Sequence, residues 1–335
     1  KQTSDGGFVI IGAAYRDGFN DEEVLVIKTD ANGNQEWLKT ININAQDLGF
    51  DITELSDGSF AAIGSYDKGN GGNGMLMMKL DSQGNLSWSR QNTWVGGRAR
   101  DYFYARSMVH ETSDGNIIFA GIYKIFKYDT SGNEIWETNS GSYLGGTPSI
   151  ILSDDSIITA NSFGIEKFDS SGNKIWDNNS ASVLPMNTNN SLEMISWISA
   201  TDDGGFIASG TISNQTLPGI GYYDAYLSKF DASGNQEWYK TYDDAFKTYG
   251  EAGYEYGNAA IPTSDGGYLL VGGIETSDLM VIKTDANGTR IWQKRHSIDG
   301  NTFGNSVVEV SPGVYAITGN TNGSNRKAYL LQLQE

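Results

Sequence analysis

The sequence predicts an all-β fold, a β-propeller of seven blades with four antiparallel strands in each, and three observations lead to it. A similar unit recurs along all 335 residues, with 40 to 62 residues between its successive Trp copies. Each unit consists of short apolar runs separated by Asp-Gly or Gly-Asn turns, which is typical of strands joined by hairpins. A period of about 40–50 residues is typical of propeller blades.

The first half of the unit is a Ser-Asp-Gly turn followed by an apolar run that ends in Gly. It occurs seven times, the last copy being degenerate, and we number the repeats 1 to 7 accordingly. Seven starts predict seven blades. The copies are marked by Asp5, Asp57, Asp114, Asp154, Asp203, Asp265 and Pro312.

The second half of the unit reads Lys-x-Asp, a turn containing Gly-Asn, and Trp. We expect the Asp carboxylate to accept backbone N–H bonds in a turn, with Gly at the following left-handed position. We expect the Trp to pack against the neighbouring blade. These residues are therefore predicted to be structural. The six Trp copies are Trp37, Trp88, Trp136, Trp176, Trp238 and Trp292.

Each complete repeat is expected to hold four strands, A to D, and the chain to form one domain of residues 1–335. The expected blades are about 1–41, 42–92, 93–141, 142–182, 183–245, 246–297 and 298–335. In repeat 2 the strands are expected at about Phe50 to Leu55, Phe60 to Ser65, Met75 to Leu80 and Asn85 to Arg90.

The two ends of the sequence are expected to complete each other. Repeat 7 stops at Gln334, where Asp231 stands in repeat 5, so it has no strand D. Repeat 1 has only Lys1 to Thr3 in place of a full strand A. We predict that residues upstream of Lys1 supply the missing strands and close the ring by pairing N- and C-terminal segments, which removes exposed edges.

Composition excludes several classes of function. The net charge is −18, from 41 acidic and 23 basic side chains, so nucleic acids and anionic membrane surfaces are poor partners. The chain has no Cys, which excludes disulfides, thiol catalysis and Cys-based metal sites. It also lacks the run of about 18 apolar residues that a membrane-spanning helix needs, so no direct membrane insertion is expected.

The Lys-x-Asp-x-x-Gly-Asn-x-x-Trp unit resembles the tryptophan-docking repeat of quinoprotein-type propellers. Its Asp30-to-Trp37 distance is one residue shorter than in that repeat, and no quinone or calcium site can be matched, so no cofactor is expected. The whole pattern also resembles the repeat propellers of secreted and cell-surface proteins of Bacteroidetes-like bacteria. This resemblance implies export, often by the type IX route, and a role as an adhesin, scaffold or accessory subunit.

Function is expected where the repeats stop resembling one another, in the B-to-C loops and D-to-A connections, which share one face of a propeller. Two irregular regions combine aromatic and charged residues, as recognition surfaces do. One is the segment 92–104, and the other comprises a long B-to-C loop and the D-to-A connection of repeat 5. The candidate contact residues are Trp94, Arg98, Arg100, Tyr102, Tyr104, Tyr222, Tyr223, Asp224, Tyr242, Tyr249, Tyr254 and Tyr256.

Catalytic groups are sparse. Two histidines, His110 and His296, leave little material for a metal site or a catalytic triad, and a structural role is expected for both. The leading hypothesis is a non-enzymatic extracellular or cell-surface propeller that binds a protein or glycan. One alternative is a carbohydrate-active enzyme, and another is a passive spacer or cargo domain of a longer secreted protein. The enzyme would use two of the loop acids Asp101, Asp243, Asp244 and Glu251.

Overall fold

The regular secondary structure of the described chain consists of strands alone, in a computed structural model. The described residues are 1–15, 22–44, 46–67, 73–94, 107–121, 124–140, 148–161, 164–179, 194–217, 220–243, 254–274, 278–298, 302–321 and 327–335. The all-β prediction is confirmed. Over these ranges we find no helix with the length and hydrophobicity that a membrane crossing requires.

Each repeat forms a small antiparallel arrangement of consecutive strands. Repeats 1 to 3 contain β1 (Phe8–Tyr15), β2 (Glu22–Thr29), β3 (Gln35–Ile41); β4 (Gln46–Glu54), β5 (Phe60–Asp67), β6 (Asn73–Leu80), β7 (Leu86–Trp94); and β8 (Met108–Glu111), β9 (Ile117–Ala120), β10 (Lys124–Tyr128), β11 (Glu134–Asn139). Repeats 4 and 5 contain β12 (Ser149–Ile151), β13 (Ile157–Asn161), β14 (Gly164–Phe168), β15 (Lys174–Asn179); and β16 (Met194–Ala200), β17 (Phe206–Leu217), β18 (Ile220–Phe230), β19 (Gln236–Tyr242). Repeats 6 and 7 contain β20 (Glu255–Pro262), β21 (Tyr268–Ile274), β22 (Asp278–Thr284), β23 (Arg290–His296); and β24 (Thr302–Ser311), β25 (Val314–Thr321), β26 (Lys327–Gln334).

Strand order follows chain order within every repeat. Repeats 2 to 6 have strands A to D, repeat 7 has A to C, and repeat 1 has B to D, as the repeat pattern predicts for the described residues. One parallel bridge, between Glu22 and Gln46, joins repeats 1 and 2 into a seven-stranded sheet. The strands of repeat 2 extend further than expected, with β4 beginning at Gln46 and β7 ending at Trp94.

The recurrent Asp is a turn residue, as predicted. Asp30 Oδ1 accepts the backbone N–H groups of Asn32 and Asn34, each at 2.9 Å. The Asn34 side chain donates to Oδ2, and these bonds hold the pKa of Asp30 below its usual range. Gly33 has a φ of 81°, a left-handed value that glycine adopts without strain. Equivalent carboxylates cap the turns at Asp81, Asp129, Asp169 and Asp231.

The recurrent Trp joins successive repeats, which confirms its predicted role. The half-buried Trp37 of repeat 1 packs edge-on against Phe60 of repeat 2, with 5.8 Å between ring centroids. It also covers the turn glycine Gly84, where an added Cβ would lie 2.7 Å from its Cζ3 atom. The same pairing joins Trp88 to Gly132, Trp136 to Gly172, and Trp238 to Gly288.

A second contact between repeats was not foreseen from the sequence. The turn residue Ser4 donates its N–H and Oγ–H to the Glu54 carboxylate of the next repeat's strand A, at 2.6 and 3.1 Å. We call this contact the Ser–carboxylate clasp. Three further clasps join Ser56 to Glu111, Ser113 to Asp155, and Ser264 to Glu309. In three of the four clasps the carboxylate lies three residues before the turn position that Asp57 holds in repeat 2, whereas Asp155 lies one residue after that position in repeat 4.

The core divides into two compact units, Lys1–Asn161 with Lys167–Trp176, and Ser162–Glu166 with Asp177–Glu335. In the second unit, buried side chains of repeat 5, such as Leu227, pack against Leu270 and Met280 of repeat 6. Each such side chain contributes about 1.5–3 kcal/mol when removed from water. Within each unit, the faces between successive repeats therefore form the hydrophobic core.

Candidate functional site

The structure describes the side chains of only some of the predicted contact residues. Arg98, Arg100, Tyr102, Tyr104 and Tyr249 lie outside the described residues. Trp94 ends β7 and Tyr222 lies in β18, and for these two the backbone alone is described. The remaining five residues all belong to repeats 5 and 6 or to the connection between them.

Three tyrosines come together at the loop end of repeats 5 and 6. The ring centroid of Tyr223 lies 5.3 Å from that of Tyr254, with 34° between the ring planes. The Tyr256 ring lies 6.2 Å from Tyr223 at 24°, close to parallel. All three side chains are half-buried. We call Tyr223, Tyr254 and Tyr256 the tyrosine cluster.

The backbone that carries the tyrosine cluster is regular, which corrects the predicted long loop in repeat 5. Strands β17 and β18 have 12 and 11 residues and continue through most of that segment as one extended hairpin. The ladder still pairs Ser213 with Tyr223. Tyr223 also forms a parallel bridge with Tyr254, next to β20 of repeat 6. Two repeats therefore hold the cluster by main-chain pairing.

Two predicted contact residues lie in the interior instead. Tyr242 is 4% exposed, because it ends β19 opposite Ala225 and packs in the core between repeats 5 and 6. Its hydroxyl donates to the carbonyl oxygen of Gly288 at 2.7 Å, and burial raises its pKa. Asp224 is 7% exposed. The prediction of Tyr242 as a surface contact is wrong, since a strand end at this position is covered by the next repeat.

The histidines and loop acids form no recognisable catalytic arrangement among the described residues. His110 lies on β8, and its Nε2 is 2.9 Å from the carbonyl oxygen of Ser149. Burial and the Lys1 ammonium lower its pKa to about 4, so it is neutral at physiological pH. Asp243 is exposed, whereas Asp101, Asp244 and Glu251 lie outside the described residues. No cluster of potential metal ligands occurs in the part of the chain that the structure covers.

A groove of about 480 Å³ lies between repeats 5 and 6 at the end of the strands that carries the A-to-B turns, which we call the turn end. The tyrosine cluster lies at the opposite end of the same strands. The lining of the groove includes Asp202, Trp238, Pro262 and Tyr268. The sequence predicts function in the B-to-C loops and D-to-A connections and not at this groove, which lies at the opposite end of the strands. The available signal was that Asp202 and Pro262 stand where a clasp has Ser and a carboxylate.

Comparison with known proteins gives similarity of fold alone. No protein-family profile matches the chain, and no curated protein matches its sequence. Among solved structures, YCF48 bound to D1 peptide has 10% identity and a TM-score of 0.54, and the match covers 100% of this chain and 97% of that one. A catalytically inactive virginiamycin B lyase from Staphylococcus aureus with quinupristin has 11% identity and a TM-score of 0.54, with 99% and 97% covered.

A streptogramin B lyase structure is similar too, with 13% identity, a TM-score of 0.53, and coverage of 98% of this chain and 96% of that one. The fold is propeller-like. Because a peptide-bound protein and a lyase share it, the propeller-like scaffold does not decide between binding and catalysis.

Proposed function

We propose that this chain is a non-enzymatic binding propeller, exported to the cell surface or the medium, whose partner is a protein docked on the tyrosine cluster. One observation carries the proposal. The half-buried rings of Tyr223, Tyr254 and Tyr256 are gathered from two repeats at the end where propellers vary. Tyrosines held on rigid backbone are typical anchors of protein interfaces, because little conformational entropy is lost on binding.

A protein segment suits this cluster better than a sugar. Tyr223 lies near-parallel to Tyr256 and tilted over Tyr254, so the rings already cover part of one another's faces. A pyranose needs one free aromatic face, whereas a peptide can use ring edges and hydroxyl groups. The similarity in fold to a propeller-like protein bound to a peptide supports the same choice.

Removing the central ring should weaken partner binding strongly. A peptide selected from a random display library against the purified protein is expected to lose about tenfold or more in affinity when Tyr223 is replaced by Ala, as for an aromatic anchor. Tyr223→Phe keeps the ring and should lose less. Biolayer interferometry measures both values, and Tyr239→Phe, on the neighbouring strand β19, serves as a control that should bind normally.

The alternatives give different outcomes. Peptides that bind Tyr223→Ala as well as the unchanged protein would disprove the cluster as the docking site. Binding on a glycan array with no selected peptide would indicate carbohydrate recognition, and turnover of a bound glycan would indicate the carbohydrate-active enzyme. No ligand of either class would favour a spacer or cargo domain. Fractionation of the source cells tests the expected extracellular placement.

The repeat pattern supports a further architectural proposal, seven blades closed into one ring and one domain by pairing of N- and C-terminal segments. The supporting observation is that each successive repeat forms its own antiparallel group of strands in chain order, as the blades of a propeller do. A compact ring of this length should have a radius of gyration of about 20 Å in solution scattering. A clearly larger value would show that the repeats form separate bodies.

A further inference from the structure

The groove at the turn end of repeats 5 and 6 lies where the clasp between neighbours is missing. At the clasps a turn Ser donates two hydrogen bonds to a carboxylate of the next repeat, as Ser264 does to Glu309. Between repeats 5 and 6 the corresponding residues are Asp202 and Pro262. Pro262 carries no carboxylate, and Asp202 has no hydrogen bond or ion pair within the described residues. The groove between these repeats is therefore not bridged by a clasp.

The inner wall of the groove carries a hydroxyl with no bonding partner. Tyr268 stands where repeats 1, 2 and 5 have Phe8, Phe60 and Phe206. It is 6% exposed and lines the groove, yet its hydroxyl makes no hydrogen bond in the described structure. The hydroxyl oxygen is not among the buried side-chain atoms without a partner, so it is open to the groove. It can accept a hydrogen bond from a ligand bound there.

The charge of the groove is negative. The Lys229 ammonium lies 2.8 Å from Asp203 and 3.0 Å from Glu237, so one cation is shared between two carboxylates. Despite partial burial, the bonds from Lys229 and Thr201 lower the pKa of Asp203 to about 2. With Asp202 added, these groups carry three negative charges and one positive charge. Such a site attracts a cation and repels an anion.

The aromatic wall has the chemistry to hold that cation. The Trp238 ring lines the groove beside Tyr268, with 5.6 Å between the ring centroids. At two other repeats the chain itself places a cation over the equivalent Trp. Arg90 Cζ is 5.4 Å from the centroid of Trp88, and Lys294 Nζ is 4.7 Å from that of Trp292. Lys240 stands two residues after Trp238, as Arg90 and Lys294 stand after Trp88 and Trp292, but in the described chain neither its ammonium nor another cation lies over the Trp238 ring.

We propose that this groove binds an arginine side chain of a partner peptide. The guanidinium would stack on Trp238 and donate to the carboxylate of Asp202 and the hydroxyl oxygen of Tyr268, a combination that guanidinium favours over ammonium. The site is separate from the tyrosine cluster, which lies at the other end of the same repeats. A negative result for one of these two sites would therefore leave the proposal for the other unaffected.

Fluorine NMR of protein labelled with 5-fluorotryptophan tests the proposal. The eight Trp residues give separate reporters, and Trp238→Phe assigns the one in the groove. Titration with acetyl-Gly-Arg-Gly-amide is expected to shift the Trp238 resonance in a saturable manner and to leave the other seven unchanged. The Lys analogue should bind more weakly, and acetyl-Gly-Gly-Gly-amide should cause no shift.

Two variants copy features of the other repeats and should therefore fold. Asp202→Ser with Pro262→Glu installs a clasp across the groove and should weaken peptide binding by about tenfold or more. Tyr268→Phe restores the residue found in repeats 1, 2 and 5 and should weaken it by about threefold to tenfold. Thermal unfolding of each variant confirms that it is folded.

Several results would overturn the inference. One is a Trp238 resonance that does not shift even at the highest concentration at which the Arg peptide is soluble. Another is an equal shift with the Gly peptide or with methyl glucoside, which would indicate a non-specific or a sugar-binding groove. A third is unchanged affinity in the folded clasp variant, since that variant removes the Asp202 carboxylate.

Discussion

Replacing Gly272 by Ala is expected to lower the free energy of unfolding by about 3 kcal/mol or more, because the added methyl group would meet main chain that cannot swing away. Gly272 lies on β21 opposite a β-bulge of β20, where the register shifts between Gly257 and Ala259. A Cβ at Gly272 would lie 1.7 Å from the carbonyl oxygen of Tyr256 and 2.8 Å from its carbonyl carbon.

The matched control is Gly204→Ala. Gly204 has a φ of 80°, and no atom lies within 4 Å of a Cβ placed there. This change should cost only the left-handed backbone penalty of about 1–2 kcal/mol, clearly less than Gly272→Ala. Urea unfolding followed by Trp fluorescence measures both. Equal stabilities for the two variants would show that the bulge of β20 can relax to accept a side chain.

The result also bears on the tyrosine cluster. Tyr256 supplies both a cluster ring and the carbonyl oxygen that limits Gly272. In a folded Gly272→Ala protein, Tyr256 should therefore be displaced, and the affinity for a partner that docks on the cluster should fall. The glycine that ends each apolar run thus connects the repeat pattern to the candidate site.

The regular part of the fold follows from local chemistry, and the sequence predicts it well. The Asp30 carboxylate accepts a hydrogen bond from the backbone N–H two residues later, and this local bond is enough to specify a turn. Gly33 provides the left-handed backbone conformation that the turn needs. Apolar runs between such turns leave few alternatives to short strands. The role of Trp37 could also be predicted, because a large apolar ring that recurs once in each blade is expected to pack against the neighbouring blade, as Trp37 does against Phe60.

The candidate site could be predicted only in part, because its residues depend on which neighbour covers them. Tyr223 and Tyr242 have similar sequence surroundings, yet the first joins the cluster and the second enters the core between repeats 5 and 6. No local pattern distinguishes them. The sequence predicts a loop where β17 and β18 form a hairpin, because the segment departs from the repeat and its residues do not show that the ladder continues.

The groove could not be predicted from the sequence for a different reason. Its signal in the sequence is the loss of a Ser–carboxylate clasp, and the clasps themselves are recognised only in the structure. Once Ser4 is known to bind Glu54 across two repeats, Asp202 and Pro262 become informative. The carboxylate position also lacks an acid in repeats 4 and 5, where Ile151 and Ala200 stand. The feature particular to the junction between repeats 5 and 6 is Asp202, which replaces the Ser found at that turn position in every other repeat.

Removal of a Trp that packs between repeats is the second change expected to have a large effect on stability. Trp88 packs edge-on against Phe119 of the next repeat, at 6.1 Å, and its Nε1–H donates to the carbonyl oxygen of Thr130 at 3.1 Å. Because the ring is half-buried, Trp88→Ala should lower the free energy of unfolding by about 2–3 kcal/mol, less than for a fully buried Trp. Trp88→Phe should recover part of the loss, since it retains ring contacts without the hydrogen bond.

A double-mutant cycle with Gly132 isolates the contact between repeats 2 and 3. A Cβ on Gly132 would lie 2.9 Å from Trp88 Cδ2, at a φ of 82°. The Cβ would also lie 2.9 Å from Arg90 Nη2, at the end of a flexible side chain that can move. Gly132→Ala should therefore be destabilising mainly through the clash with the Trp88 ring and the left-handed backbone, and the contribution of the ring should disappear once Trp88 is Ala. We expect the double variant to be more stable than the sum of the single changes predicts, by about 1–2 kcal/mol.

Gly58→Ala supplies the comparison, since Gly58 has a φ of 78° but no atom within 4 Å of an added Cβ. Its effect should equal the backbone penalty alone and should add to that of Trp88→Ala without coupling. Denaturant unfolding of all six proteins in one buffer completes the measurement. If Gly132 and Trp88 prove additive as well, the ring does not press on the turn, and the cohesion of the repeats must come from their apolar faces.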